Sequence, residues 1–195
     1  MATAFVSARR FTQAEFYDWI KHESGYLPGH YELVDGHIVV TPPARPRHGS
    51  LQAELTSLLH QHVKTRRLGK VLNSGYDLPS GDTLEPDVSF IAADKVTRTI
   101  FDDDEKGFCR IVPDLAVEIL SRSTVHLDRN RKKAIYARNG LREYWIVDHR
   151  RRSITVFLLG ATGYDESSVV TAGRIPSRVL PDLVATVEEI FSSLD

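Results

Sequence analysis

Two carboxylates stand inside apolar stretches of this sequence, where an acidic side chain is costly. Asp87 precedes the run Val88–Ile91, and Glu118 lies within the run Leu115–Leu120. An unpaired carboxylate in such a strand costs several kcal/mol, so each must meet a cation, hydrogen-bond donors or a proton. Carboxylate oxygens, a main-chain carbonyl and water form the oxygen-only shell that Mg²⁺ prefers. We therefore predict a divalent-metal site formed by Asp87, Glu118 and the main-chain carbonyl of Ile119.

A third acid could join this site. Glu32 lies in an apolar, β-rich stretch and could orient a water or complete the metal shell. Structural interpretations stay open, because Glu32 could pair with an arginine and Asp87, which follows a proline, could be a turn residue. His48 follows a loop rich in proline and arginine, and could contact a substrate or simply precede a helix.

A positive group is needed beside such a metal if the substrate is a phosphodiester, since charge develops in the transition state. In the helix predicted after Glu118, the residues Asp128, Lys132 and Tyr136 recur at four-residue intervals and therefore share one face. We predict Lys132 as the catalytic lysine. Lys133, which lies about 100° further round the helix, is the second choice.

Hydrophobic periodicity and turn residues predict the elements that must position these groups. Helices are expected at residues 13–24, from 51 to an end near Gly69, at 125–139 and at 186–194, with capping boxes at Thr12–Glu15 and Thr186–Glu189. Strands are expected at residues 31–34, 37–40, 71–78, 86–91, 113–120, 144–147 and 154–159. Asp35–Gly36 is expected to close a hairpin between the first two strands.

The strand, helix and strand predicted through residues 113–147 imply a crossover connection and hence a parallel pair. We therefore expect an α/β (α+β) fold with one mixed β-sheet flanked by helices. No linker or repeat divides the chain, so residues 1–195 are expected to form a single domain. Its core would lie at about 12–160, followed by C-terminal strands and a short helix.

Composition limits the classes of function. A net charge of −1 argues against a strongly basic protein that coats DNA, but it allows local basic patches. Phosphate contact is one interpretation of Arg150–Arg152 in their tight turn, and exposed charge is the other. The acidic run Asp102–Glu105 lacks the ligand spacing of a calcium loop and is expected to be solvated.

Location and other enzyme classes can also be judged from the chain. A lone cysteine, Cys109, together with the absence of a secretory signal and of a long apolar run, predicts a cytoplasmic protein with no membrane segment. No Walker loop, dinucleotide glycine pattern or nucleophile elbow is present, which disfavours a P-loop NTPase, a Rossmann-fold dinucleotide-binding enzyme and an α/β-hydrolase.

Four ordered motifs form a more specific pattern: Tyr31–Gly36, Pro86–Val88, Val117–Ser121 and Glu143–Asp148. Together they resemble the Uma2 family, also called DUF820, within the PD-(D/E)xK nuclease superfamily. The resemblance covers about residues 12–160. It implies a restriction-endonuclease-like core, a Mg²⁺ or Mn²⁺ site, DNA cleavage and a homodimer.

By this resemblance Glu32, Asp87 and Glu118 take the acidic positions. Lys132 takes the position of the catalytic lysine, which in this family has moved from the strand to the following helix. The chain departs from the superfamily pattern at Leu120, where the lysine would stand. It also carries Arg122 where relatives often have proline.

Three functions follow as hypotheses. The first is a metal-dependent DNA endonuclease, for which a homodimer would suit cleavage of both strands by two sites on a two-fold axis. The second is a catalytically inactive nucleic-acid-binding or protein-interaction module that retains the nuclease fold. The third is a phosphoesterase acting on a small nucleotide, which a closed, narrow cavity would favour over an open groove.

Overall fold

A computed structural model of the 195-residue chain describes residues 5–25, 29–97, 107–121 and 124–195. The acidic run Asp102–Glu105 and the position Arg122 lie outside the described residues. In the described part of the chain, no helix is long and apolar enough to cross a membrane.

The helices follow the expected order, but part of the third one is π-helical. They are α1 Gln13–His22, α2 Pro46–Arg66, α3 Lys133–Arg138 and α4 Val187–Ser192, and a π-helical turn at Leu127–Lys132 leads directly into α3. Capping boxes start α1 and α4, as expected. Helix α2 starts earlier than predicted because Pro46, whose ring presets a helical φ, occupies its first turn.

Within the described residues the strands form two sheets. The first has the order β1-β3-β2-β6-β5, with β1 Phe5–Val6, β2 His30–Val34, β3 His37–Thr41, β5 Tyr76–Asp77 and β6 Thr83–Leu84. The second has the order β11-β10-β9-β8-β7-β4, with β4 Gly69–Leu72, β7 Val88–Ala92, β8 Leu115–Ile119, β9 Glu143–Asp148, β10 Ser153–Leu159 and β11 Tyr164–Val170. The second sheet is mixed, because β8 and β9 pair in parallel and its other pairs are antiparallel.

The mixed sheet flanked by helices confirms the expected fold class, but the expectation of one sheet was wrong. The strand predicted at 71–78 divides into β4 and β5, which belong to different sheets. The break falls at residues 73–75, where Gly75 packs so closely that a Cβ would lie 2.3 Å from the Phe108 ring. This close approach comes from a distant part of the chain, so local sequence could not reveal it.

The mixed sheet is covered on both faces. Helices α2 and α4 pack on one face, where Leu55 and Phe191 join Val117 of β8 in a hydrophobic cluster. On the opposite face, Ala116 packs with Tyr136 of α3. Because side chains alternate along a strand, Glu118 shares the face of Ala116 and points toward α3.

Charged side chains tie the first sheet to α3. Arg138 of α3 lies 3.0 Å from a carboxylate oxygen of Asp35 in the β2–β3 turn and 2.5 Å from one of Asp82, which is buried. Asp82 also accepts a hydrogen bond of 2.7 Å from the main-chain N–H of Asp35. These bonds hold the hairpin, and with it Glu32, against the helical segment that carries Lys132.

Substitution by alanine should have different effects on stability at two glycines, Gly69 and Gly49. Gly69 begins β4 at φ +152°, and a Cβ there would lie 1.9 Å from the carbonyl oxygen of Ile91. We expect Gly69→Ala to lower the free energy of unfolding by more than about 2 kcal/mol, since the sheet must open to admit the methyl group.

Gly49 is the matched control, because it lies in α2 and nothing stands within 4 Å of the position that an added methyl group would take. Gly49→Ala should leave stability unchanged or raise it by up to about 1 kcal/mol. Urea denaturation measures both changes. Equal destabilisation by the two substitutions would contradict this account of Gly69.

Candidate functional site

A lysine surrounded by three carboxylates lies where the two sheets meet. The Nζ atom of Lys132 lies 2.8 Å from Glu32 Oε1, 3.1 Å from Glu118 Oε1 and 3.6 Å from Asp128 Oδ1. The exposed fractions are 2% for Glu32, 4% for Glu118, 1% for Asp128 and 3% for Lys132. We call these four residues the acid–lysine cluster.

Asp87 stands at the edge of this cluster because of the β7–β8 register. Val88 pairs with Val117 in antiparallel fashion, so the same register places Asp87 opposite Glu118. Side chains directly opposite each other in an antiparallel pair lie on the same face of the sheet. Asp87 and Glu118 therefore meet although they are distant along the chain.

Neighbouring groups hold both the side-chain carboxylate and the main-chain carbonyl of Asp87. Its Oδ2 atom accepts a hydrogen bond of 2.7 Å from the N–H of Ile119 and lies 3.2 Å from His48 Nε2. Its main-chain carbonyl accepts hydrogen bonds from Gln52 at 2.8 Å and from Asn73 at 2.5 Å. Two of these partners, His48 and Gln52, lie one turn apart on α2, so this helix holds the carboxylate through His48 and the main chain through Gln52.

The turn that carries Lys132 differs from the α-helix expected at 125–139. Residues Leu127–Lys132 form a π-helical turn, and regular α-helix begins only at Lys133. Even so, Asp128, Lys132 and Tyr136 face the same side, since the Tyr136 hydroxyl donates to Glu118 Oε1 at 3.1 Å. Short π-helical turns occur often at functional sites, and this one positions two members of the acid–lysine cluster.

The alternative lysine lies elsewhere. The Nζ atom of Lys133 lies 4.3 Å from the centroid of the Phe157 ring, in a cation–π contact on β10. Of the two candidates, Lys132 is the one whose ammonium contacts the acids. Leu120, at the position of the superfamily lysine, is buried in the core.

Burial and crowding shift the protonation of the cluster. Burial raises the pKa of Glu32, Glu118 and Asp128, while the nearby ammonium of Lys132 partly opposes the shift. Burial alone would lower the pKa of Lys132, but the carboxylates together raise it well above its ordinary value. Lys132 is therefore an ammonium at neutral pH, and it lies against more carboxyl groups than its single charge can pair.

This excess of carboxylate fits a cation. The hydrogen bonds described above use Oδ2 of Asp87 and Oε1 of Glu118, and Asp128 Oδ1 is buried with no hydrogen-bond partner in the described residues. Among the described residues, no group of three or more His, Cys, Asp or Glu side chains forms a metal-ligand set. A divalent ion held by Asp87, Glu118 and the Ile119 carbonyl would thus need water to complete its shell.

A cavity of about 770 Å³ opens above the cluster. The four cluster residues and Asp87 form its floor, and the segment Pro42–His48 forms one wall. Arg45, Arg47 and Arg150 lie at its exposed rim. Thus Arg150, one of three arginines in the tight turn, reaches the cavity, while Arg152 pairs with Asp195 at 2.8 Å.

Several residues of this site were not included in the predicted set. Asp128 is one, although its four-residue spacing from Lys132 already indicated a shared face. Glu85 is another, because its N–H donates to Glu32 Oε1 at 2.8 Å, a backbone contact that has no sequence signal. For His48 a substrate contact and a helix-flanking role had both stayed open. The structure places it against Asp87, in the wall of the cavity.

Comparisons with known proteins agree with the motifs. A family model named Uma2, with the description "Putative restriction endonuclease", matches residues 14–188. A solved structure is similar with a TM-score of 0.73 and 22% identity, over 94% of this chain and 99% of that one. It is described as a putative nuclease belonging to DUF820 from Anabaena variabilis ATCC 29413. At this identity the likeness shows the fold. No match was found among curated proteins.

Removing the ammonium tests the charge balance of the cluster. In Lys132→Met the buried acids lose their cation, which we expect to cost about 3–5 kcal/mol near pH 8. The acids of the folded variant then hold protons that the unfolded chain has released above its ordinary carboxyl pKa. Folding therefore takes up protons, and the free energy of unfolding falls as pH rises, by about 1.4 kcal/mol per pH unit for each proton.

Lys133→Met is the matched control. It removes a cation–π contact worth about 0.5–1 kcal/mol and no ion pair of the cluster. Urea unfolding from about pH 5.5 to about pH 8.5 should show a stability loss that grows with pH for Lys132→Met and stays constant for Lys133→Met. A loss independent of pH in both variants would refute this charge balance.

Proposed function

Because this chain belongs to the Uma2 family, whose model matches residues 14–188, we propose that it is a metal-dependent endonuclease that hydrolyses phosphodiester bonds of DNA. Family and fold support a restriction-endonuclease-like nuclease. The observation that carries the finer proposal is the acid–lysine cluster, in which one ammonium lies within 3.1 Å of Glu32 and Glu118. Asp87 lies opposite Glu118 at the cavity floor.

Each residue has a role in this proposal. Asp87, Glu118 and the carbonyl of Ile119 would hold Mg²⁺ or Mn²⁺, which when bound polarises the phosphate and makes a water more acidic. Lys132 places a permanent positive charge where the phosphate gains negative charge. Glu32 holds that ammonium by its 2.8 Å contact and so orients it.

Other groups keep this arrangement fixed. The hydroxyl of Tyr136 and the ammonium of Lys132 both donate to Glu118 Oε1, which sets the orientation of this carboxylate. The N–H of Ile119 and His48 set that of Asp87. Preorganised charges of this kind need little rearrangement during reaction, and burial strengthens their effect.

Of the two other candidate functions, one has an observation in its favour and one is disfavoured. The size of the cavity, about 770 Å³, lies in the range of small-molecule sites and favours a phosphoesterase that acts on a small nucleotide. The exposed arginines at the rim favour a longer polyanion instead. An inactive binding module is disfavoured by cost, because a site without function would retain three buried carboxylates at an energetic penalty.

Cleavage of plasmid DNA tests the proposal. Purified protein should nick or cut plasmid in the presence of Mg²⁺ or Mn²⁺, and cleavage should stop when the metal is chelated. Asp87→Asn keeps the shape of the side chain but removes its charge, so we expect the rate to fall by at least about 100-fold. Calorimetry with Mn²⁺ should show binding to the parent protein that is weakened in the variant.

Asp94→Asn is the matched control, since Asp94 is exposed in the 3₁₀ turn Ala93–Lys95 and does not line the cavity. It should cleave at the parent rate. Undiminished cutting by Asp87→Asn would point to a contaminating nuclease. A gel shift with neither cleavage nor metal binding would favour the inactive module.

We further propose a homodimer and a cytoplasmic location. Two sites related by a two-fold axis could cut the two strands of a duplex, and a chain whose one cysteine, Cys109, is buried and forms no disulfide suits a reducing compartment. Light scattering should therefore give twice the chain mass of 22.0 kDa. A monomer at the concentration of the cleavage assay would exclude the dimer.

A further inference from the structure

The reacting groups lie too deep for a phosphate that remains within a regular duplex. The acid–lysine cluster is at most 4% exposed, and access to it runs through a cavity of about 770 Å³. That volume is typical of sites for small ligands and single nucleotides. Enzymes that act on a base within a duplex bind single strands or draw the nucleotide out of the duplex into their pocket, and a phosphate that must reach this cluster would need a similar opening.

We propose that this cavity takes an unpaired strand: one nucleotide enters with its scissile phosphate, and the neighbouring phosphates bind the rim arginines Arg45, Arg47 and Arg150. This inference rests on the proposed nuclease function and adds the substrate class. A duplex would be cut where its base pairs open, and each protomer of a dimer would take one strand.

The charges of the cavity change sign with depth. Its floor carries Glu32, Glu118, Asp128 and Asp87 against one lysine, whereas its rim carries three exposed arginines. In the described residues none of these three arginines forms an ion pair, in contrast to Arg152, which pairs with Asp195. Unpaired guanidinium groups are available to bind phosphates on both sides of the nucleotide that enters.

Helix α2 adds to the positive rim. Arg45 is its N-cap residue, its first turn contains no acidic residue, and no side chain caps its N-terminus. The main-chain N–H groups of that turn and the partial positive charge of a 21-residue helix therefore favour an anion at the same place as Arg45 and Arg47.

The wall of the cavity fits a base and a sugar. Pro42, Pro43 and Ala44 form an apolar wall, and the imidazoles of His30 and His149 also line the space. Aromatic rings, including imidazole, bind bases of any sequence by stacking. Proline fixes its own φ, so this wall is rigid before the strand arrives. A paired base could not reach it without leaving its partner.

Three labelled DNA substrates of one sequence test the inference: a single strand, a fully paired hairpin, and the same hairpin with an internal unpaired bulge. With Mn²⁺ we expect the single strand to be cut at least about tenfold faster than the paired hairpin. The bulged hairpin should be cut at its bulge. Fluorescence anisotropy in Ca²⁺ measures binding separately from cleavage.

Arginine variants test the rim. Arg45→Ala and Arg47→Ala should each weaken binding of the single strand about three- to tenfold and reduce the salt dependence of log K by about one. Lys64→Ala is the matched control, because Lys64 is exposed near the other end of α2, about 27 Å from Pro46 at 1.5 Å per residue. It should leave binding unchanged.

The outcomes separate this inference from the proposed function. If the paired hairpin is cut as fast as the single strand, the inference is overturned and the nuclease proposal stands. If only bis(4-nitrophenyl) phosphate is hydrolysed, the nuclease proposal and this inference are both overturned in favour of a small-substrate phosphoesterase. If nothing is hydrolysed, the nuclease proposal fails, and the part of the inference that concerns cleavage fails with it. Anisotropy then tests the remaining part, that the cavity takes an unpaired strand. Binding that prefers the single strand and depends on Arg47 supports this part, and equal binding to the single strand and the paired hairpin overturns it.

Discussion

One ammonium shared by three buried carboxylates is the interaction on which this structure depends. Glu32 comes from the first sheet, Glu118 from the mixed sheet, and Lys132 with Asp128 from the π-helical turn between them. Each carboxylate would be costly at this depth without the ammonium, and the ammonium would be costly without the carboxylates. The two sheets must therefore meet at this point, and the Arg138 contacts with the β2–β3 turn strengthen the same junction.

The framework around this junction was largely predictable because it is encoded locally. Thr12 and Thr186 start helices through capping boxes, and Asp35–Gly36 closes the hairpin with positive φ at both residues. The run Leu115–Leu120 could be recognised as a covered strand, and the helix after it required a parallel neighbour. In each case the residues that determine the element are adjacent in sequence.

Features that depend on distant contacts could not be predicted in this way. The division of 71–78 between two sheets falls where Gly75 packs against Phe108, a distant contact. Strand β11 was expected only as a C-terminal strand without bounds, because its polar residues lack strand periodicity. For the site, the cost of burial identified Glu118 and Asp87 correctly as residues that need partners. It could not supply those partners, since His48 and Gln52, which contact Asp87, and Tyr136, which donates to Glu118, come from other elements.

The same charge imbalance connects stability with substrate access. Without a bound cation the cavity floor disfavours a phosphate, because each of its four carboxyl groups that is ionised repels the phosphate and only one ammonium attracts it. The rim arginines attract the phosphate backbone but lie above the floor. A divalent ion at Asp87 and Glu118 would add two positive charges beside the Lys132 ammonium and so reduce the repulsion between the floor and a phosphate. In the proposed function the ion thus aids entry of the scissile phosphate as well as its hydrolysis.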